Sequence, residues 1–515
     1  MSDRLLSLRQ VLREPRTREF LAWCLPALII GFALRALLTV HSPYAFYHDD
    51  ASDFLVTPDR LIEDGKWSIH GKKTFLVPAA FTVPFFLPGP VLVTIPLLQH
   101  FVGLVLVLLV GLLCRLWFRW WKIFIIPLTT LTAANPFFLW YEHTIMAETL
   151  FIFCTVLLAL AGTLYALRQS RERFIFLCAQ LILEAGARPE GKLLFGFGLL
   201  LVVLFHFRHW RTEWQRPAII LALAIFIHFQ TKTVQAGLLL YTSVSRLTPT
   251  ELRCAPGFDA YIAPLRADLQ KRWELHPEFP RVRDRRIVAE VVATYLKDNP
   301  QIHTGESDKR SVDSFCLKLA SETCLRNLAY LPIHVYHKFR YVANDAPSGL
   351  LDNFWIFEKQ REAFHSDSER TLRLAKKLTG EPITTEQGLD DFIDRHYGEV
   401  PWFNRYNDLW LAAVNHFRLP DEEYPAAWGK FIYPGVPLYF LLAAAGMVAV
   451  ALRRGTLQPF HVSWAFTMFC FFFVIMLTAN VRSRFRFVFE PFWFIYIGLL
   501  LESIALVFLR LIPRR

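Results

Sequence analysis

Charge is scarce in this sequence. Asp, Glu, Lys and Arg supply only 20% of its 515 residues, against 54% hydrophobic and 15% aromatic, and the mean hydropathy is +0.31. Soluble domains carry about 25% charge, so the deficit argues against an ordinary water-soluble enzyme and makes the bilayer the expected solvent. A glycine-rich phosphate loop is also missing, which removes the usual nucleotide-binding folds. No internal repeat is visible, and repeats mark many transporter folds. His303, His334, His337 and His416 show no ligand spacing, so no metal is expected from them. Cys24, Cys114, Cys154, Cys178 and Cys470 lie in or beside apolar runs and read as small hydrophobes. Cys254, Cys316 and Cys324 permit one disulfide at most, with its pairing open.

What the sequence does have is apolar runs. A helix needs roughly 20 mostly apolar residues to cross the hydrocarbon core. About ten candidates emerge: Phe20–Val40, one inside the long stretch Phe75–Leu113, Ile123–Leu139, Ile145–Leu167, Phe174–Ala187, Leu193–Phe207, Pro217–Leu240, Tyr433–Leu452, Phe460–Ala479 and Val488–Leu509. Pro78, Pro84, Pro88 and Pro90 break the first half of the long stretch, so one crossing is expected from Val91 onward, with an interfacial segment before it. The expected fold is an all-α polytopic membrane protein. About seven helices fall in 1–240, a mainly helical extramembrane domain in 241–432 and about three helices in 433–515.

Lys and Arg orient the bundle. Arg4, Arg9, Arg13, Arg16 and Arg18 precede the first run, and Arg115, Arg119, Lys122, Arg168, Arg171, Arg173, Arg208, Arg211 and Arg216 recur in alternate connections. Arg453, Arg454, Arg510, Arg514 and Arg515 complete the same side, which the positive-inside rule makes cytoplasmic. Both termini are then inside and the large domain outside. Much of the net charge of +11 faces anionic lipid in this arrangement, with no nucleic acid required. The Arg-rich start runs into a span too long for a cleaved leader, so a retained anchor is expected.

Three outer segments carry charge. In the first outer loop, 41–90, His48-Asp49-Asp50 precedes a predicted helix from Ser52 to Asp64, with Ser52 or Asp53 as cap and Gly65 as its end. Acids at a helix start suit its dipole, and adjacent acids beside a histidine also suit proton transfer. The second segment is Arg188-Pro189-Glu190-Gly191-Lys192. The run before it, Phe174–Ala187, spans only about 21 Å of a roughly 30 Å core, so this turn is expected below the outer surface. There Arg188 and Lys192 bind phosphate, or Arg188 ties helices together by pairing with Glu190 or Glu184. In the third, Arg482, Arg484 and Arg486 alternate with other residues and, if extended, form one guanidinium row suited to phosphate; headgroup anchoring is the other use.

Glu142 and His143 fall in a short outer turn. Glu148 lies just inside the boundary and is expected to face the interior, either catalytic or paired with an arginine such as Arg188. Over 241–432, periodicity predicts helices at Arg286–Lys297, Ser311–Leu328 and Glu358–Leu378, and Asn327–Tyr341 reads as an interfacial segment.

The order of these motifs resembles that of the GT-C fold glycosyltransferases, the superfamily of protein O-mannosyltransferases and lipid A aminoarabinose transferases. The resemblance rests on Asp49-Asp50 with Arg60-Leu61-Ile62-Glu63-Asp64-Gly65, Asn135-Pro136 with Ala147-Glu148-Thr149-Leu150-Phe151, Ala187-Arg188-Pro189-Glu190, and Arg482 to Arg486 with Glu490-Pro491. It covers Phe20 to about Phe207 and Tyr433–Leu509. It implies a polyprenyl-phosphate-sugar donor and a catalytic carboxylate in the first outer loop, by position Asp50, with Asp49 next. The second acid that some relatives carry later in that loop has no counterpart around Lys73 to Pro84.

The expected activity is inverting transfer to an acceptor hydroxyl on a glycan, lipid or protein at the extracytoplasmic face. Arg188, Lys192, Arg482, Arg484 and Arg486 would hold the donor phosphate, and His48, Asp53, Glu142, His143, Glu148 and Glu190 would support the site or the acceptor. No cofactor is expected, because the arginines can neutralise the phosphate, although Asp49 and Asp50 have the chemistry of cation ligands. A bacterial inner membrane is the implied home, in keeping with the lack of Asn-x-Ser/Thr on the outer segments. The rival readings are a lipid-linked sugar transporter or flippase, and a non-catalytic assembly or sensor protein.

Overall fold

The computed structural model describes residues 14–47, 51–67, 74–207, 213–230, 236–275, 282–302, 309–344, 360–365, 368–398, 400–415, 438–453, 455–478 and 489–511. These form α-helices, with no strand among the described residues and an isolated parallel bridge between Phe46 and Thr144.

The first apolar helix, α1 (Pro15–His41), is followed by α2 (Ala51–Asp64) in the first loop. Gly65 ends α2 at φ +63°, the left-handed conformation that a glycine adopts without a Cβ clash. The long apolar stretch breaks as its prolines require, into α3 (Leu76–Phe86) and α4 (Val91–Trp117), with Gly89 at φ +96° between them. α5 (Trp121–Ala133) and α6 (Pro136–His143) make one apolar path bent by 45°. Asn135 causes the restart: its side chain accepts from the Phe137 amide while Pro136 occupies the first turn.

α7 (Glu148–Leu167) and α8 (Arg171–Ala187) follow, the latter capped by Ser170. A 3-10 turn, Pro189–Leu194, leads into α9 (Phe195–His206), and then comes α10 (Gln215–Gln230). The inter-span region holds α11 (Ala236–Val244), α12 (Asp259–Leu275), α13 (Val282–Asp298), α14 (Lys309–Arg326), α15 (Leu331–Asn344), α16 (Ser368–Thr379), α17 (Glu386–His396) and α18 (Pro401–Asn415). α19 (Leu438–Leu452), α20 (Gln458–Thr478) and α21 (Glu490–Leu511) close the chain.

The protein is an all-α membrane protein. Among the described residues six helices are long and apolar enough to cross a bilayer, or seven if the bent pair counts as one span, in place of the ten expected. The difference lies in short elements. α10 and α19 are apolar but, over their described residues, fall below crossing length by themselves, and α8 takes three of its 17 residues from the polar Arg171-Glu172-Arg173.

The region expected as one domain over 241–432 divides between two cores. Tyr241, Phe258, Val292, Tyr295, Phe315 and Leu319, from α11 to α14, form a core of their own. Phe364, Leu378, Phe392, Ile393, Tyr397 and Phe403, around α16 to α18, instead join the core of the membrane helices. Within the helix expected over Glu358–Leu378, residues 360–365 and 368–378 are helical, and the others lie outside the described residues. Cys254, Cys316 and Cys324 are free thiols.

Candidate functional site

The loop after α1 is held on two sides. From the membrane helices, the Ala45 amide donates to the Leu92 carbonyl (2.6 Å), the Phe46 amide to the His143 carbonyl (2.8 Å), and the Ile145 amide back to the Phe46 carbonyl (3.1 Å). From the inter-span region, the Tyr397 hydroxyl donates to the Ala45 carbonyl (2.9 Å) and the Tyr47 amide to Gln360 Oε1 (3.0 Å). The Tyr47 ring stacks on Phe364 with centroids 4.3 Å apart.

The far side of the loop is clamped from the same region. Arg370 Nη2 donates to the Ser52 carbonyl (3.0 Å), and Arg373 pairs with Asp59 (3.1 Å) and Glu63 (2.7 Å). Arg370 and Arg373 stand three apart on α16, the spacing that puts two side chains on one helix face. Burial, then the neighbouring Glu63, holds the Asp59 carboxyl above its ordinary range, against the pull of Arg373. His48, Asp49 and Asp50 lie outside the described residues, but their flanks Tyr47 and Ala51 are 1% and 0% exposed. Asp53 is partly buried in the first turn of α2. Arg482, Arg484 and Arg486 also lie outside the described residues.

The Phe46–Thr144 bridge puts the loop next to the start of α7. Glu148 opens that helix and takes Arg188 Nη1 at 2.6 Å, while Arg188 Nε reaches Glu190 at 3.2 Å. Of the partners considered for Arg188, Glu148 and Glu190 are engaged and Glu184 is not. The Glu184 carboxylate instead accepts from the Thr155 hydroxyl at 2.6 Å. The turn after Arg188 folds tightly onto α8, so that a Cβ on Gly191 would lie 2.2 Å from the Glu184 carbonyl oxygen. Lys192, half-buried in that turn, has no hydrogen-bond or ion-pair partner among the described residues.

Glu142 and His143 differ from expectation. They do not stand in an open turn but close α6 as its last two residues, at 1% and 0% exposure, and the sequence reading missed both of their main partners. Arg35 of α1 grips Glu142 with both ends of its guanidinium (Nε–Oε2 2.7 Å, Nη2–Oε1 2.6 Å), and its Nη1 donates to the Gly31 and Ala133 carbonyls. His100 of α4 reaches Glu142 Oε2 through Nδ1 (2.9 Å) and His143 Nδ1 through Nε2 (3.1 Å), and His143 Nε2 meets the Tyr44 carbonyl (3.2 Å). A carboxylate and a carbonyl, both pure acceptors, stand at the two ends of this run. For every contact to be a hydrogen bond, the two rings together must hold three N–H hydrogens. The signal available was that Arg35 and His100 stand alone in apolar runs, where an ionisable side chain needs a named partner.

Among the described residues no group of three His, Cys, Asp or Glu side chains is arranged to hold a metal. No family model matches the chain, and no curated protein matches it. Chemically, the arrangement offers a fixed loop root beside one buried and one half-buried acid that share an arginine, with the half-buried ammonium of Lys192 one turn further on, in the field of Glu190.

Proposed function

We propose that this chain is a membrane glycosyltransferase that moves a sugar, with inversion, from a polyprenyl-phosphate donor to an acceptor hydroxyl on the extracytoplasmic face. The observation that supports it most is the two-sided grip on the first outer loop, immediately before and after the segment carrying Asp49 and Asp50, next to the Glu148–Arg188–Glu190 cluster. A loop that serves only as a connection has no need of buried partners from two distant parts of the chain. A catalytic carboxylate does, because its worth depends on placement.

In this reading Asp50 takes the proton of the acceptor hydroxyl as that oxygen attacks the anomeric carbon, with Asp49 beside it. The bond from that carbon to the phosphate oxygen breaks, and the lipid phosphate leaves with the bonding electrons. Lys192, Arg482, Arg484 and Arg486 neutralise the growing charge. Arg188 adds its charge from within its ion pair and fixes the turn that carries Lys192. The reaction class follows the motif order given above, and the sugar and acceptor are left open.

The test is Asp50→Asn in purified full-length protein supplied with polyprenyl-phosphate sugars. Transfer is expected to fall by about 10² to 10⁴ while donor binding persists. Undiminished transfer removes Asp50 as base. Sugar-lipid movement across a vesicle membrane, without transfer, favours the flippase reading.

A further inference from the structure

The surface of the first inter-span core carries an apolar stripe that the proposed activity does not use. On α14 and the turn that follows, Leu317, Leu325 and Leu328 are 49%, 68% and 60% exposed, and Ile333 at the start of α15 is 48% exposed. Ser321, Ala329 and Pro332 fill the spacing between them, and all are exposed. Steps of four keep Leu317, Ser321 and Leu325 on one face of α14, and Leu328, Ala329, Pro332 and Ile333 follow in the turn and at the start of α15. The opposite face supplies Phe315, Cys316, Leu319 and Ala320, which are buried in the core with α11 and α13. The stripe is therefore not a frayed edge of that core but the outward side of a firmly seated helix.

Its position in the fold indicates what covers it. α14 lies against the first turn of α11, where the Leu238 amide donates to Asp313 Oδ1 (2.8 Å) and a Cβ on Gly237 would come within 3.0 Å of the Leu317 Cβ. α11 begins just after the apolar helix α10 ends. At the other end of the stripe, α15 packs on α20, a helix of membrane-crossing length, whose Leu477 reaches the same core from the last turn of that helix. The stripe thus runs between the ends of two apolar helices. Exposed Lys318 and Arg326 border it, as basic residues border helices that lie in a headgroup layer.

We infer that the α14–α15 face rests in the bilayer surface, with Leu317, Leu325, Leu328 and Ile333 entering the boundary between headgroups and acyl chains. This seats the first inter-span core on the membrane as a fixed platform. The inference is independent of the reaction proposed above.

The full-length protein, carrying p-benzoylphenylalanine at Leu325 or at Leu328, is reconstituted into phosphatidylcholine and phosphatidylglycerol vesicles and irradiated. Intact-mass analysis is expected to show phospholipid adducts as the main product at both positions. A cross-linked dimer, or no adduct at either position, overturns the proposal. The unmodified protein gives a second measurement in vesicles doped with a phospholipid bearing an acyl-chain diazirine. Labelled peptides are expected from 309–333, and labelling confined to the apolar helices overturns the inference even if a substituted protein fails to fold.

Discussion

The two charge clusters, Arg35–Glu142–His100 and Glu148–Arg188–Glu190, are each built on an arginine–glutamate pair and are not equivalent. In the first, one carboxylate receives a forked guanidinium and an imidazole, and its side chain is 2% exposed. Gly103 is packed so closely that a Cβ there would lie 1.9 Å from Glu142 Oε1. In the second, one guanidinium is divided between two acids, and Glu190 keeps 24% of its side chain exposed. The difference is one of exposure. A carboxylate enclosed on every side holds helices together, whereas in the second cluster water reaches one of the two acids.

The largest effect expected from breaking this comparison is on Arg35. Arg35→Met leaves Glu142 buried without its principal partner and should destabilise the protein by about 3–5 kcal/mol, read as a lower melting temperature and loss of monodisperse protein in detergent. Arg188→Met also strands a buried acid, Glu148, but its other acid, Glu190, stays within reach of water, so a smaller loss of stability is expected, with weaker donor binding. Equal losses of stability in the two variants would erase the distinction. Gly103→Ala comes next. The added methyl meets a carboxylate that the Arg35 fork keeps from moving, and about 1–3 kcal/mol of destabilisation is expected in the same melting assay, with an unchanged melt showing that α1 or α4 can shift. The smallest effect is expected from Tyr397→Phe, which removes one hydrogen bond worth about 1 kcal/mol. Faster amide exchange at residues 44–47 with little change in global melting is the result that marks the contact as local to the loop.

The parts of the fold that depend on neighbours in sequence were legible. The proline-broken stretch before Val91, the Gly65 stop after α2 and the Glu148–Arg188 and Arg188–Glu190 pairings follow from local chemistry or from the few ionisable groups close to one boundary, whereas the break at Asn135-Pro136 fell inside a run read as one span. What could not be read depends on contacts between residues far apart. Arg35 and Glu142 are 107 residues apart, and neither alone announces the other. Gln360 and Tyr397 look like ordinary members of amphipathic helices until the fold carries them to the first loop. Of the ten expected spans, six or seven are long and apolar enough among the described residues, and hydropathy alone does not distinguish a short apolar helix among neighbours from one that crosses by itself.

The Tyr397–Ala45 hydrogen bond joins residues 352 positions apart. At about 5–20 residues per second, a ribosome needs on the order of 20 to 70 s to make the segment that fastens the first loop after the loop itself has emerged. Throughout that interval the loop lacks half of its support. Assembly of the bundle and maturation of the candidate site are therefore separate events in time, and a chain truncated before residue 360 would insert its early helices yet never complete that grip.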